Sequence, residues 1–118
     1  MPKLTTRAIA PAAAPTTTAT GTGVDVSDFT GNGRFVLDAA AAPSGQTLTV
    51  TLEHSDTLGS GYTSTGVAFT AVTSAGRAYE TISMSLDGFK KFVRPVSTIA
   101  GGSTAHPHQV TLVGNLAL

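Results

Sequence analysis

Turn-forming residues divide this sequence into short runs in which apolar and polar side chains alternate. The clearest run spans residues 46–54, and its apolar face carries Leu48, Val50 and Leu52. Its polar face carries Thr47, Thr49, Thr51 and Glu53. Successive side chains of a β-strand point to opposite faces, so a period of two indicates a strand. The run predicts a half-buried strand whose threonine face meets solvent or a partner.

Further runs of this kind span residues 24–29, 34–40, 67–72, 79–86, 89–99 and 109–118. We expect a turn at residues 30–33 and a long polar loop at residues 55–66, whose tip suits an exposed contact. Residues 89–99 should form an edge or bulged strand, because Pro95 has no N–H to donate to a ladder. Short strands with no helix-period stripe predict an all-β chain, an antiparallel β-sandwich or jelly roll.

Residues 1–22 differ from the rest of the chain. They contain three of the six prolines and no acidic residue, and their large apolar side chains are Met1, Leu4 and Ile9. Such a segment buries too little apolar surface to offset the entropy lost on ordering. We therefore expect an extended N-terminal arm over residues 1–22, ordered by another protein surface, and a β-sandwich domain over residues 23–118.

A signal peptide is the alternative interpretation of this segment, since Lys3 and Arg7 precede several small residues. The apolar run is short, consists mostly of alanine and contains Pro11, which argues against it. No stretch approaches the ~20 apolar residues that span a bilayer, so a membrane is not an expected partner.

Low charge restricts the possible partners. Only 12% of the residues are charged, against roughly a quarter in an average domain, and the formal net charge is zero. Nucleic acid is therefore not expected as a partner, because phosphate neutralisation needs clustered Lys and Arg. The sequence has no cysteine, which fits synthesis and assembly in a reducing cytoplasm. Weak repulsion between copies favours burial in a large complex.

Two clusters have residue types that bind metals. His106 and His108 are two residues apart, so on an extended segment they point the same way and could share a metal. No local residue completes that set, and the alternative is a pair of exposed loop histidines. Asp25 and Asp28 suggest calcium, but their spacing does not match the EF-hand pattern, and Asx turns are the alternative. We predict no metal site.

Catalytic signatures are not evident in the sequence. No nucleophile–base–orienter set appears, and no carboxylate pair for glycoside hydrolysis is identified. The pair Gly21 and Gly23 lacks the third glycine and the helix that dinucleotide binding requires. We predict that the chain is not an enzyme and holds no cofactor.

Five segments together carry a family resemblance: GVDVSDFTGNGRFVLDAA (residues 23–40), LTVTLEHSD (48–56), VAFTAV (67–72), LDGFKKFVRPVSTIAGG (86–102) and VTLVG (110–114). The chain resembles the cement or decoration proteins of tailed bacteriophages, small capsid-associated proteins encoded in the head-gene region. The resemblance implies a β-sandwich of jelly-roll type, made in the host cytoplasm. It would sit as dimers or trimers on the outer capsid surface of the virion and clamp neighbouring major capsid protein subunits.

Candidate contact residues follow from side-chain type. In the arm, the few side chains suited to capsid contact are Lys3, Leu4, Arg7 and Ile9. For contact between copies, with a homodimer favoured over a trimer, the candidates are Phe89, Lys90, Lys91, Phe92 and Arg94. Aromatic residues and Arg are enriched at interface cores. The alternative is core packing for the two phenylalanines and a solvated strand edge for the cations.

Other functions fit the same features. The first alternative is a different virion component, such as a tail-tube, head-completion or fibre domain. A carbohydrate-binding or adhesive β-sandwich is the second, but the aromatic residues that would stack on sugars are limited to Tyr62 and Tyr79, with no Trp.

Overall fold

A computed structural model describes residues 3–13, 18–73, 76–102 and 104–116, with the side chains of Lys3 and residues 11–13 excluded. Its strands are β1 (Lys3–Ala13), β2 (Ala19–Thr20), β3 (Val24–Asp25), β4 (Phe29–Ala39), β5 (Thr47–Ser55), β6 (Thr63–Ala68), β7 (Ala78–Ser85), β8 (Phe92–Ala100) and β9 (His108–Leu116). A 3-10 turn at Leu86–Gly88 joins β7 to β8.

The strands form two antiparallel sheets. The first sheet has the order β1-β9-β4-β7, and the second has the order β2-β8-β5-β6 with β3 also beside β8. Most strand neighbours are distant in sequence, because the chain crosses repeatedly from one sheet to the other. This winding order is that of a jelly roll, with the short strands β2 and β3 together occupying one strand position of the second sheet. The predicted all-β jelly-roll sandwich is confirmed.

Alternating apolar side chains of both sheets form the core. The fully buried ones include Phe35, Leu37, Leu48, Val50, Leu52, Val93, Val110 and Leu112. In β5 the apolar face lies inward, and the threonines of the other face are half-buried on the outer side, as the alternation predicts. Removal of this apolar surface from water is the main stabilising contribution to such a sandwich.

The N-terminal segment is an edge strand of the sandwich. β1 pairs antiparallel with β9, from Lys3 opposite Leu116 to Ala13 opposite His108. Ile9 is 1% exposed and belongs to the core. The described part of the expected arm is thus ordered by this chain's own sheet, because the β9 ladder supplies backbone hydrogen bonds that the composition of residues 1–22 does not reveal.

Two local expectations are corrected. Residues 30–33 do not form a turn between strands. They lie within β4 as a bulge, with Gly31 at φ 72° and a register shift between Thr30 and Arg34 against β9. Residues 63–66, expected in the long loop, begin β6. Glycine supplies the positive φ at such a bulge, so the same residues that indicate a turn also fit a bulged strand.

The strand that contains Pro95 is not an edge. β8 lies between β5 and the β2–β3 segment, with Pro95 opposite Leu52. The carbonyl of Pro95 accepts a hydrogen bond from the Gly21 N–H at 2.9 Å. N–H and C=O groups of one residue point to the same side in an antiparallel strand. The missing N–H therefore faces the interrupted segment between β2 and β3, and the ladder with β5 loses no bond.

Candidate assembly surfaces

Leu4 lies on the outer face of the first sheet. The inward face of β1 carries Arg7 and Ile9, and Leu4 is out of phase with them and 66% exposed. Of the four residues expected to contact a capsid, Leu4 is thus exposed, whereas Ile9 is buried in the core. The backbone of Lys3 pairs with Leu116 at the end of the same strand.

Arg7 is engaged within the chain. Its guanidinium donates to both carboxylate oxygens of Asp28, at 2.6 and 3.0 Å, and to the carbonyl of Asp25 at 2.8 Å. It also lies 4.7 Å from the centroid of the Phe29 ring, within the range of a cation–π contact. The hydrogen bonds from Arg7 lower the pKa of Asp28. Arg7 therefore fastens β1 to the β3–β4 segment.

Phe89 is half-buried and packs against the core. Its ring stacks on Phe35 at 5.5 Å between centroids and meets the edge of His54 at 5.5 Å. The Phe89 ring therefore has two aromatic contacts within the chain. Lys90 and Lys91 are exposed, and the ammonium of Lys91 lies 5.4 Å from the ring of Phe92.

Phe92 and Arg94 lie on the outer face of the second sheet, in a cluster that we name the Arg94 corner: Glu53, Leu58, Tyr62, Phe92 and Arg94. Arg94 contacts the Glu53 carboxylate at 2.8 Å and stacks 3.9 Å from the centroid of Tyr62. The Tyr62 hydroxyl donates to the carbonyl of Leu58, whose side chain is 50% exposed. The expected loop contact and strand contact thus form one surface.

Sequence reasoning did not assign Glu53, Leu58 and Tyr62 to this corner. Glu53 and Arg94 are directly opposite each other in the β5–β8 register, and a strand register across the sandwich is not visible in the sequence. The aromatic residue in the long polar loop was the available signal for Tyr62.

A groove of about 610 Å³ crosses the outer face of the first sheet. It lies over the β4 bulge, and Leu4, Asn32, Arg34, Ser83, Ser85 and Asn115 are among its lining residues. Within the described residues the ion pairs involve Arg7, Arg77 and Arg94, so Arg34 is a cation with no ion-pair partner there. The groove offers amides, hydroxyls and one guanidinium beside an exposed leucine.

Both loop histidines are buried, contrary to the exposed-loop alternative. The Nε2–H of His106 donates to the carbonyl of Ala40 at 2.7 Å. His108 hydrogen-bonds the carbonyl of His106 through Nδ1 and the hydroxyl of Ser97 through Nε2. Within the described residues no three His, Cys, Asp or Glu side chains gather at a possible metal position. The histidine pair joins β8, β9 and the residues after β4.

The two aspartates of the possible calcium cluster have partners within the chain. Asp25 accepts hydrogen bonds from the N–H and hydroxyl of Ser27, which lower its pKa and form the Asx turn named as the alternative. Asp28 is held by Arg7.

In the described parts of the chain, no helix is both long and apolar enough to cross a membrane.

No protein-family model and no curated protein matches this chain. Solved structures do match it. One belongs to the Bacillus endospore appendages, described as a family of disulfide-linked pili, with a TM-score of 0.58, 12% identity and coverage of 99% of this chain and 92% of that chain. Another belongs to the infectious bursal disease virus Gx strain, with a TM-score of 0.54, 12% identity and coverage of 98% of this chain and 32% of that chain. At this identity the likeness establishes the fold.

Proposed function

We propose that this chain is a virion structural protein that binds the outside of an assembled capsid and holds neighbouring major capsid protein subunits together. The observation that carries the proposal is the outer face of the first sheet, with its groove of about 610 Å³ and exposed Leu4. The likeness to a virus protein and to a pilus protein supports a role in an assembly.

The groove can accept a segment of a capsid subunit. Leu4 offers an apolar contact at its rim, and Arg34 can pair with an acidic side chain of the partner. Interfaces of structural proteins combine such apolar anchors with a polar surround. Because a shell repeats the same partner, each bound copy that spans two subunits gains from the second contact after the first forms.

Three of the five candidate residues for contact between copies remain in the proposal. Lys91, Phe92 and Arg94 lie at or beside the Arg94 corner, where a neighbouring subunit can reach them. Phe89 is committed to Phe35 and His54. Residues 1–118 include no cysteine, so they form no disulfide with a neighbouring subunit.

Binding to capsid shells assembled without this protein tests the proposal. We expect the purified chain to sediment with such shells at a fixed copy number and to raise the temperature at which they rupture, because a ligand stabilises the state that it binds. Leu4→Glu should abolish binding. Thr98→Glu, at an exposed residue of β8 that lies outside the Arg94 corner, is the control and should bind normally. Equal rupture temperatures with and without the protein would refute cementing.

A different virion component, such as a tail-tube or fibre domain, is the second candidate. The likeness to a protein of endospore appendages, which are described as pili, favours it. Electron microscopy of the particles separates the two: label over the whole shell supports cementing, whereas label confined to the tail or to fibres supports the alternative.

A further inference from the structure

The outer edge of β7 is open. β7 pairs with β4 at eight consecutive positions without a register shift, from Asn32 opposite Ser85 to Ala39 opposite Ala78. On its other side no strand pairs with it in the described parts of the chain. Backbone N–H and C=O groups along this edge are therefore available to another strand.

The other edges of the sandwich are irregular or short. β1 has two register shifts against β9 and contains Pro11. β6 has a register shift against β5 and contains Gly66 at φ 86°. β2 has only two residues. Bulges, proline and short length are the devices by which proteins protect edge strands from pairing, and β7 has none of them.

The side chains of β7 also favour pairing. Its outward face carries Tyr79, Thr81, Ser83 and Ser85, and Tyr79 is 72% exposed. Its single charged residue, Glu80, accepts a hydrogen bond from the Thr70 N–H at 2.8 Å and has a partner already. Tyrosine and threonine favour the extended conformation, and the edge lacks the lysine that commonly repels a second strand.

We propose that β7 pairs antiparallel with β7 of a second copy about a two-fold axis, which joins two four-stranded sheets into one. Such an isologous contact uses the same edge on both copies. An axis at Thr81 places Tyr79 opposite Ser83, and an axis at Ile82 places Tyr79 opposite Ser85. In neither register does Glu80 lie directly opposite Glu80 of the other copy. The zero net charge of the chain adds no repulsion between the copies. The pairing needs only this chain and stands or falls independently of capsid binding.

Single cysteines test the pairing, because the chain contains none. Directly opposite residues in an antiparallel pair have Cα atoms about 4.5–5.5 Å apart, within the range that a disulfide spans. We expect an oxidised dimer from Thr81→Cys alone for the first register, or from Thr81→Cys mixed with Ser83→Cys for the second. Thr6→Cys on β1 and Thr98→Cys on β8 are the controls and should stay monomeric on oxidation. Cross-linking at Thr6 or Thr98 but not at β7 would overturn the proposal.

Light scattering gives a second readout. We expect the unmodified chain to be a dimer, Thr81→Lys to weaken the dimer by about tenfold or more, and Thr98→Lys to leave it unchanged. Circular dichroism shows whether each variant is folded. If Thr81→Lys is unfolded, hydrogen exchange of the unmodified chain decides, since the β7 amides should become slower as the concentration rises. A monomer at all concentrations, or open-ended filaments, would refute the two-fold pair.

Discussion

The guanidinium of Arg7 donates two hydrogen bonds to the carboxylate of Asp28, at 2.6 and 3.0 Å. Arg7 lies in an edge strand of the first sheet, and Asp28 lies where the chain crosses from β3 in the second sheet to β4 in the first. The pair therefore ties the N-terminal strand to the connection between the sheets. It adds side-chain contacts to the backbone ladder between β1 and β9.

A double-mutant cycle measures the coupling energy between Arg7 and Asp28. Arg7→Ala and Asp28→Ala should each lower the free energy of unfolding by about 1 kcal/mol, because the side chains are 30% and 50% exposed and solvent screens the pair. Arg7→Ala should cost more, since it also removes the contact with Phe29. Urea denaturation of both single variants and the double variant gives the coupling energy. A coupling energy of zero would show that the pair contributes nothing to stability.

The contrast between Ile9 and Leu4 tests whether β1 is part of the core. Ile9→Ala should lower the free energy of unfolding by about 2–5 kcal/mol, because it leaves a cavity at a residue that is 1% exposed. Leu4→Ala should change it by less than about 0.5 kcal/mol, because Leu4 is 66% exposed. Thermal and urea denaturation provide the measurement. Equal, small effects would mean that β1 detaches readily in solution.

The strands of the sandwich were predictable where one face is buried and the other is not. The alternation in β5 and β7 is visible in the sequence because polar and apolar residues differ strongly there. It is weak in β1, where Thr5 and Arg7 share the inward face with Ile9 and four of the six residues from Ala8 to Ala13 are alanines. The strand is defined by its ladder with β9, a long-range pairing that local sequence does not encode.

The candidate surfaces were less predictable from the sequence than the strands, because they depend more on long-range contacts. The outward, half-buried threonine face of β5 and the position of Arg94 at the surface follow from local pattern and residue type. The stacking of Arg94 on Tyr62 requires the β5–β8 register and the return of the long loop over the sheet. Likewise, the burial of His106 depends on the carbonyl of Ala40, which is 66 residues away.

The close approach of Gly23 to Tyr62 gives a packing test. A Cβ atom at Gly23 would overlap the Tyr62 hydroxyl and would also contact Leu58 and Phe92. Gly23→Ala should therefore displace the Tyr62 ring from Arg94 and lower the free energy of unfolding by about 1–3 kcal/mol. Tyr62→Phe in the same chain should restore part of that loss, because it removes the overlapping oxygen. The same loss with and without the hydroxyl, measured by urea denaturation, would exclude this cause.

His54 gives a pH dependence. Its ring lies at the end of β5 against Phe89, and its Nδ1 accepts a hydrogen bond from the Lys90 N–H at 3.2 Å. Burial lowers the pKa of His54, the positive charge of Lys90 lowers it further, and Asp56 opposes the change. The unfolded chain therefore binds the proton at a higher pH than the folded chain does. The contribution of this group to stability is fully present above its ordinary pKa of 6.5 and is lost as the pH falls below it.

The measurement is the free energy of unfolding between about pH 7 and pH 5, where an unperturbed histidine titrates. His54→Asn keeps a hydrogen-bond acceptor near the Lys90 N–H but does not titrate, so its stability should fall less with acid than that of the unmodified chain. The lowered pKa values of Asp25 and Asp28 act only below about pH 4, since the ordinary pKa of these carboxyl groups is 3.8. Those carboxylates therefore do not contribute in the His54 window, and parallel pH profiles of the two proteins would contradict the assignment to His54.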